Sequence, residues 1–158
     1  MSSVIEIGRP IPPFTSTTST GEPFDSESLK GRWSVIYFYP KDNTPGCTQE
    51  AIDFEASSRE FGELQAVIIG VSRDSDTSHT KFKCKYQLGF ELLADTNEAL
   101  CILFDVIRMK NMYGKHVRGI ERSTFMVDPD GILRKEWRKV PVKGHAASVL
   151  ETLRQLQA

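Results

Sequence analysis

The chain has no long hydrophobic run, no block of like charge and only three cysteines among 158 residues. Each absence excludes something. Without about 20 consecutive apolar residues, no membrane-spanning helix is expected. A formal net charge of −1 removes the electrostatic case for binding nucleic acid or an anionic membrane surface. Three cysteines are an odd count and too few for the disulfide framework of a small secreted protein. No Cys-x-x-Cys pair offers a structural zinc site. The opening Met1-Ser2-Ser3-Val4-Ile5-Glu6-Ile7 has neither a basic n-region nor an apolar h-region, so no secretory leader is expected. A cytoplasmic protein with catalytic or inert thiols fits best. His79, His116 and His145 are scattered without metal-ligand spacing and read as surface or capping residues. No metal and no cofactor are expected. With no internal repeat or linker, residues 1–158 read as one domain with a substantial core.

What is present has the rhythm of an α/β protein. Ser16 to Gly21 is polar and reads as a turn between short N-terminal strands. Trp33 to Tyr39 is nearly continuous apolar and β-prone, the pattern of a central strand covered on both faces. Residues 48–61 favour helix, with Ala51, Ile52, Phe54 and Phe61 as the apolar set, and Ala66 to Val71 is a second buried strand. Asp76 to Leu88 reads as a helix with Phe82 and Tyr86 on one face, and Asn97 as the cap of a helix over 98–104. Thr124 to Asp128, the turn Pro129-Asp130-Gly131 and Ile132 to Trp137 form a hairpin. Asp128-Pro129-Asp130-Gly131 resembles a metal loop only superficially, because turn chemistry explains it. His145 to Leu156 closes the chain as an amphipathic helix with Val149, Leu150, Leu153 and Leu156 inward. Trp33 and Trp137 read as packing residues, and Tyr39 as either pocket lining or strand core. The alternation implies helices around a mixed central sheet.

The most informative stretch is Tyr37-Phe38-Tyr39-Pro40-Lys41-Asp42-Asn43-Thr44-Pro45-Gly46-Cys47-Thr48-Gln49-Glu50. An apolar strand ends, a Pro/Gly-rich turn follows, and a cysteine opens a helix. A thiol placed there meets backbone N–H groups without helical partners and the positive end of the helix dipole. Both favour the thiolate, which is the reactive form.

Pro40-x-x-x-Thr44-x-x-Cys47 resembles the peroxiredoxin signature. Together with Gly119-Ile120-Glu121-Arg122-Ser123-Thr124-Phe125, it resembles the Q-type, or bacterioferritin-comigratory, peroxiredoxins. The similarity runs from Gly8 to the last helix. It implies a thioredoxin-like fold, thiol-dependent reduction of hydrogen peroxide and organic hydroperoxides, regeneration by thioredoxin or a related dithiol, and a part in antioxidant defence and redox homeostasis. Monomers are common among these relatives. By resemblance Cys47 is the peroxidatic thiol, which becomes a sulfenic acid. Thr44 brings a hydroxyl beside the sulfur, and Pro40 restricts the backbone and shields the pocket. Arg122 carries its guanidinium fork to the thiolate. Glu50 is where the family places a carboxylate or amide that orients that arginine.

Ionisation alone does not make a peroxidase. Lowering a thiol pKa from about 8.5 to about 6 raises the thiolate fraction at neutral pH roughly thirtyfold. Reduced nucleophilicity returns roughly tenfold of that, by analogy with disulfide exchange. The rest has to come from polar groups that stabilise charge as the O–O bond breaks. Thr44, Arg122 and the Cys47 N–H are the candidates, so Arg122 ranks with Cys47.

Many Q-type relatives carry the resolving cysteine five residues after the peroxidatic one, where this chain has Ile52. Cys84 and Cys101 remain. Cys84 lies two residues from Phe82 and from Tyr86, about 200° around a helix, so it points away from that pair. A second branch of the family places its resolving cysteine in this helix, and Lys81, Lys83 and Lys85 favour a thiolate there. Cys101 lies among Leu100, Ile102, Leu103 and Phe104 and reads as core. The resemblance thus implies a transient Cys47–Cys84 disulfide, for which the ends of both helices unwind. Two other classes stay open: a thiol–disulfide exchange protein, although its usual Cys-x-x-Cys is missing, and a non-enzymatic holdase.

Overall fold

The computed structural model describes residues 5–158. The leader reading rests largely on Met1 to Val4, outside the described residues. Strands β1 (Thr15–Thr17) and β2 (Pro23–Asp25) form a short antiparallel ribbon closed by a turn with Gly21 at φ +85°. A 3₁₀ turn over Ser26–Leu29 follows, capped by Asp25, whose carboxylate accepts from the Glu27 N–H at 2.9 Å. Strand β3 (Trp33–Phe38) is buried throughout except at Trp33. Its residues alternate between two cores, Val35 and Tyr37 on one face and Ile36 and Phe38 on the other. That is why the run reads as continuously apolar.

The chain crosses through α1 (Pro45–Ala56) and α2 (Ser58–Glu63) to β4 (Ala66–Ser72), which lies parallel to β3. A second crossover, α3 (Asp76–Tyr86), leads to parallel β5 (Glu91–Ala94). After α4 (Ala99–Leu103), β6 (Ile107–Met112) and β7 (Lys115–Ile120) form a separate antiparallel hairpin. Strands β8 (Ser123–Val127) and β9 (Leu133–Arg138) complete the main sheet in the order β5-β4-β3-β8-β9. Helix α5 (His145–Gln157) buries Val149, Leu150 and Leu153, with Leu156 packed beside them. Helices α1, α2, α3 and α5 contribute to the core on the Val35/Tyr37 face, and α4 to the other. The result is the mixed α/β, thioredoxin-like arrangement that the resemblance implies.

Several boundaries differ from the sequence reading. The expected helix over 48–61 starts earlier, with Pro45 in its first turn, and breaks at Ser57. Two adjacent serines sit at the break, and the Ser58 hydroxyl donates to the Glu55 carboxylate at 3.2 Å, side-chain bonding of the kind that competes with helical propagation. Ile52, one of the apolar set read for this helix, is 40% exposed. The buried stripe of α1 is Cys47, Glu50, Ala51 and Phe54, spaced three and four apart, and Ile52 falls off it. The α4 cap is chiefly Asp95, whose two carboxylate oxygens accept from the Leu100 and Cys101 N–H groups at 2.9 and 2.8 Å. Asn97 adds a bond from the Ala99 N–H at 3.1 Å. The β6–β7 hairpin has a polar, aperiodic sequence, and it turns at Tyr113 and Gly114, both at positive φ. The Asp128 turn is as read: its carboxylate accepts from the Asp130 and Ile132 N–H groups.

Candidate active site

The site forms where β3 ends. Tyr39 and Pro40 leave the sheet, Asn43 turns the loop at φ +60°, and Thr44 is extended (φ −95°, ψ 155°) ahead of α1. Pro45 suits this entry because its missing N–H is one that the first helical turn leaves unpaired anyway. Cys47 therefore lies in the first turn of α1, as the sequence predicts, and is only 2% exposed.

Arg122 reaches this thiol from the residue before β8. Its Nη2 donates to Cys47 Sγ at 3.5 Å, and its Nη1 donates to Glu50 Oε1 at 2.6 Å. One planar fork thus spans two side chains of α1 three residues apart. Gly46 leaves room for the fork, since a Cβ there would sit 3.2 Å from Arg122 Nη2. Burial works to lower the Arg122 pKa, but the charges of Glu50 and Cys47 outweigh it and the value is raised. The guanidinium stays charged in a nearly closed site.

Glu50 behaves differently. Burial pushes its pKa up to about 7 even though Arg122 opposes the shift. Its Oε2 is buried without a hydrogen-bond partner, and so is the Tyr37 hydroxyl behind the site. Burial, then the Glu50 and Cys47 charges, hold the Tyr37 phenol well above its ordinary value. Tyr37 is therefore a neutral wall under the thiol.

Residues 7–136 match the AhpC/TSA family. The chain belongs to the AhpC/TSA family of peroxiredoxins. It is 51% identical over 152 residues to peroxiredoxin Bcp of Bacillus subtilis, covering 96% of this chain and 97% of that protein. Against the Xanthomonas campestris peroxiredoxin Bcp the identity is 57% over 124 residues, 78% of each chain. The solved bacterioferritin comigratory protein of X. campestris, studied for alkyl peroxide reduction, is 47% identical with a TM-score of 0.88, over 99% of this chain and 100% of that one. A Xylella fastidiosa PrxQ variant is 38% identical with a TM-score of 0.93, over 99% of this chain and 100% of that one. As a peroxiredoxin of the Bcp and Q type, this protein is a peroxidase.

The remaining residues singled out in the sequence fall as follows in this peroxiredoxin. Pro40 is half-buried at the end of β3. The Thr44 hydroxyl donates to the Lys41 carbonyl at 2.8 Å, so its proton points back into the loop. Cys84 is exposed on α3, and Cys101 is buried in the opposite core. Burial raises the Cys101 thiol far above its ordinary value, with Asp95 adding to the shift. All three cysteines are free thiols.

Two histidine readings are corrected. His79 is fully buried, with Nδ1 2.8 Å from Asp42 Oδ2 and Nε2 2.8 Å from the Leu93 carbonyl. His145 is 5% exposed, with Nε2 2.7 Å from Thr124 Oγ1 and its ring edge-on to Phe54 and Trp137. Burial, then the Arg122 charge, lowers its pKa to about 4. His116 is exposed, as expected. Tyr39 proves to be core, one residue past the end of β3, with its hydroxyl donating to Asp42 Oδ1 at 2.6 Å. Sequence reasoning missed Asp42, although its place inside the signature loop beside Lys41 was a signal available to it.

Asp42, Asp74 and His79 offer ligand-type atoms within 4.8 Å of one another. Hydrogen bonds already occupy the facing atoms: Asp74 Oδ2 accepts from the Asp42 N–H and the Ser72 hydroxyl, and Asp42 accepts from Tyr39, Ser78 and His79.

Proposed function

We propose that this peroxiredoxin reduces hydrogen peroxide and organic hydroperoxides through Cys47, with Cys84 as the resolving thiol and thioredoxin or a similar dithiol as the reductant. The Cys47 thiolate attacks the terminal peroxide oxygen. An S–O bond forms, the O–O bond breaks, and the alcohol or water leaves once its oxygen is protonated. Sulfur is oxidised to sulfenic acid by two electrons and the peroxide is reduced by two. The Cys84 thiolate then attacks Cys47 sulfur, water leaves, and a disulfide forms. A dithiol reductant returns both thiols by exchange. Three unpaired thiols suit a monomer in a reducing compartment such as the cytosol.

The Arg122 guanidinium 3.5 Å from Cys47 Sγ carries this reading. A fixed cation beside the sulfur stabilises the thiolate and the oxyanion that develops as the peroxide bond lengthens, in a site from which water is largely excluded. Glu50 Oε1 fixes the fork. Pro40 holds the loop, and Thr44 supplies a hydroxyl whose lone pairs remain free to accept from the peroxide O–H. Cys84 is favoured as partner because it is exposed beside Lys81, Lys83 and Lys85, whereas Cys101 is enclosed.

Steady-state peroxide reduction with thioredoxin, measured for wild type and for Cys47→Ser, Cys84→Ser and Cys101→Ser, tests the reading. Turnover should vanish in the first two and persist in the third. Cys84→Ser protein should still react once with peroxide. A wild-type Cys47 that reacts with hydrogen peroxide no faster than free cysteine would overturn the proposal.

A further inference from the structure

We propose that the buried Asp42–His79 pair is a latch that positions the Cys47 loop against α3. In this view its release governs how readily the two segments part so that a disulfide can form. The disulfide part rests on the assignment of Cys84 above; the latch does not.

The loop between β3 and α1 has little regular structure of its own, and its order is imposed from outside. Asp42 is 6% exposed and both its carboxylate oxygens are in use. Oδ1 accepts from the Tyr39 hydroxyl at 2.6 Å; Oδ2 lies 2.8 Å from both the Ser78 hydroxyl and His79 Nδ1. The next residue, Asn43, accepts from Lys85 Nζ at 3.3 Å and from the Tyr86 hydroxyl at 3.1 Å. Ser78, His79, Lys85 and Tyr86 all belong to α3, so two consecutive loop residues are tied to nearly its whole length.

The proton inventory makes the inner tie strong. His79 Nε2 faces a carbonyl oxygen, which only accepts, so Nε2 carries a proton. Nδ1 faces a carboxylate oxygen at the same distance. A proton must therefore lie on that bond too, and the hydrogen bond is out of reach of solvent. Leaving either partner alone in that enclosure is expensive.

Beyond these ties, helix α3 is held by Thr80 Oγ1, which donates to the Ser19 carbonyl at 2.5 Å, and by the Lys83–Glu91 ion pair at 3.5 Å. Of its eleven residues only His79 and Phe82 are buried. His79, Phe82 and the partly buried Tyr86 ring dock the helix, and a segment with so few buried side chains opens at lower cost than the central sheet. Cys84 lies five residues beyond His79 on this helix. While the latch is shut, Cys47 stays in the first turn of α1 under Arg122. Once it opens, the loop and α3 are released together. Asp42 and His79 are thus positioning residues that act through the loop, not groups that touch peroxide.

Hydrogen exchange on the reduced full-length protein, wild type and His79→Gln, reads the latch directly. The amides of residues 41–44 and of α3 should lose protection together in the variant, by about tenfold, as expected for leaving one buried polar group without its hydrogen bond. The amides of β4 should be unchanged. After one equivalent of hydrogen peroxide, His79→Gln protein should form its disulfide faster. It should also require more peroxide for inactivation by over-oxidation, a partition that a merely structural role would not move. Unchanged protection, or loss in only one of the two segments, overturns the latch. Joint loss of protection without any 47–84 disulfide in either protein leaves the latch standing and removes Cys84 instead. Should His79→Gln not fold, Ser78→Ala removes a neighbouring bond to the same carboxylate oxygen, and the same joint loss, smaller in size, decides the matter.

Discussion

Glu50 and His145 are buried titratable side chains near one guanidinium, and their protonation pulls stability in opposite directions. The Glu50 carboxyl sits at about 7 in the fold against an ordinary 4.5. The folded protein therefore binds a proton more tightly than the unfolded chain, and that stabilisation is complete below about pH 4.5 and lost as pH rises through about 7. His145 is lowered from 6.5 to about 4. Its contribution is complete above about pH 6.5 and is lost as pH falls through about 4. Urea midpoints measured from pH 4 to 8 should separate the two. Against Glu50→Gln, wild type should lose relative stability between about pH 4.5 and 7. Against His145→Gln, it should gain relative stability between about pH 4 and 6.5. Parallel curves for either pair would contradict the burial argument for that residue. Charge at Arg122 is the common factor: it opposes the Glu50 shift and adds to the His145 shift.

At the scale of elements, the sheet around the site is packed to its limit at one position. Gly70 lies on β4 directly opposite Tyr37 of β3. A Cβ there would stand 2.7 Å from Leu92 Cδ2 and 3.0 Å from the Tyr37 Cζ and hydroxyl oxygen. Gly70→Ala should therefore cost about 1–3 kcal/mol by overpacking, read as a lower urea midpoint. Because Tyr37 backs the thiol, the rate with peroxide should fall as well. An unshifted midpoint would mean that Leu92 and Tyr37 yield freely. Strands β3, β4, β8 and β9 and the closing helix were legible in the sequence because their apolar patterns are strong, whereas β5, β6 and β7 were not. Breaks and caps were less so. The Ser58 hydroxyl competes locally where α1 ends, Asp95 caps α4 from four residues before its start, and β6–β7 has a pattern that no core face imposes. The thiol and its arginine were legible because motif spacing carries them. The Asp42–His79 contact joins residues 37 apart, and nothing in a lone histidine announces that it will be buried against a loop aspartate.

At the scale of the whole molecule, the sheet divides the thiols. Cys47 belongs to the core beneath α1 and α5, and Cys101 to the core on the far face. A bond between them would have to pass through the five-stranded sheet. Cys101 is also wholly buried and held as a thiol. Mass spectrometry of peroxide-treated wild type should therefore find Cys101 unoxidised while Cys47 is modified, and Cys101→Ala should leave turnover unchanged at a small cost in stability. Oxidised Cys101 at low peroxide would show that the far core opens on the timescale of turnover.

The solvent-facing side of α1 carries one more consequence. Ile52, five residues after Cys47, projects part of an aliphatic group into water. Nothing in the interior depends on it, so a sulfhydryl could be grafted there at almost no energetic penalty. On the proposed mechanism, a chain bearing both Ile52→Cys and Cys84→Ser would carry its two reacting thiols on one helix without rebuilding the scaffold.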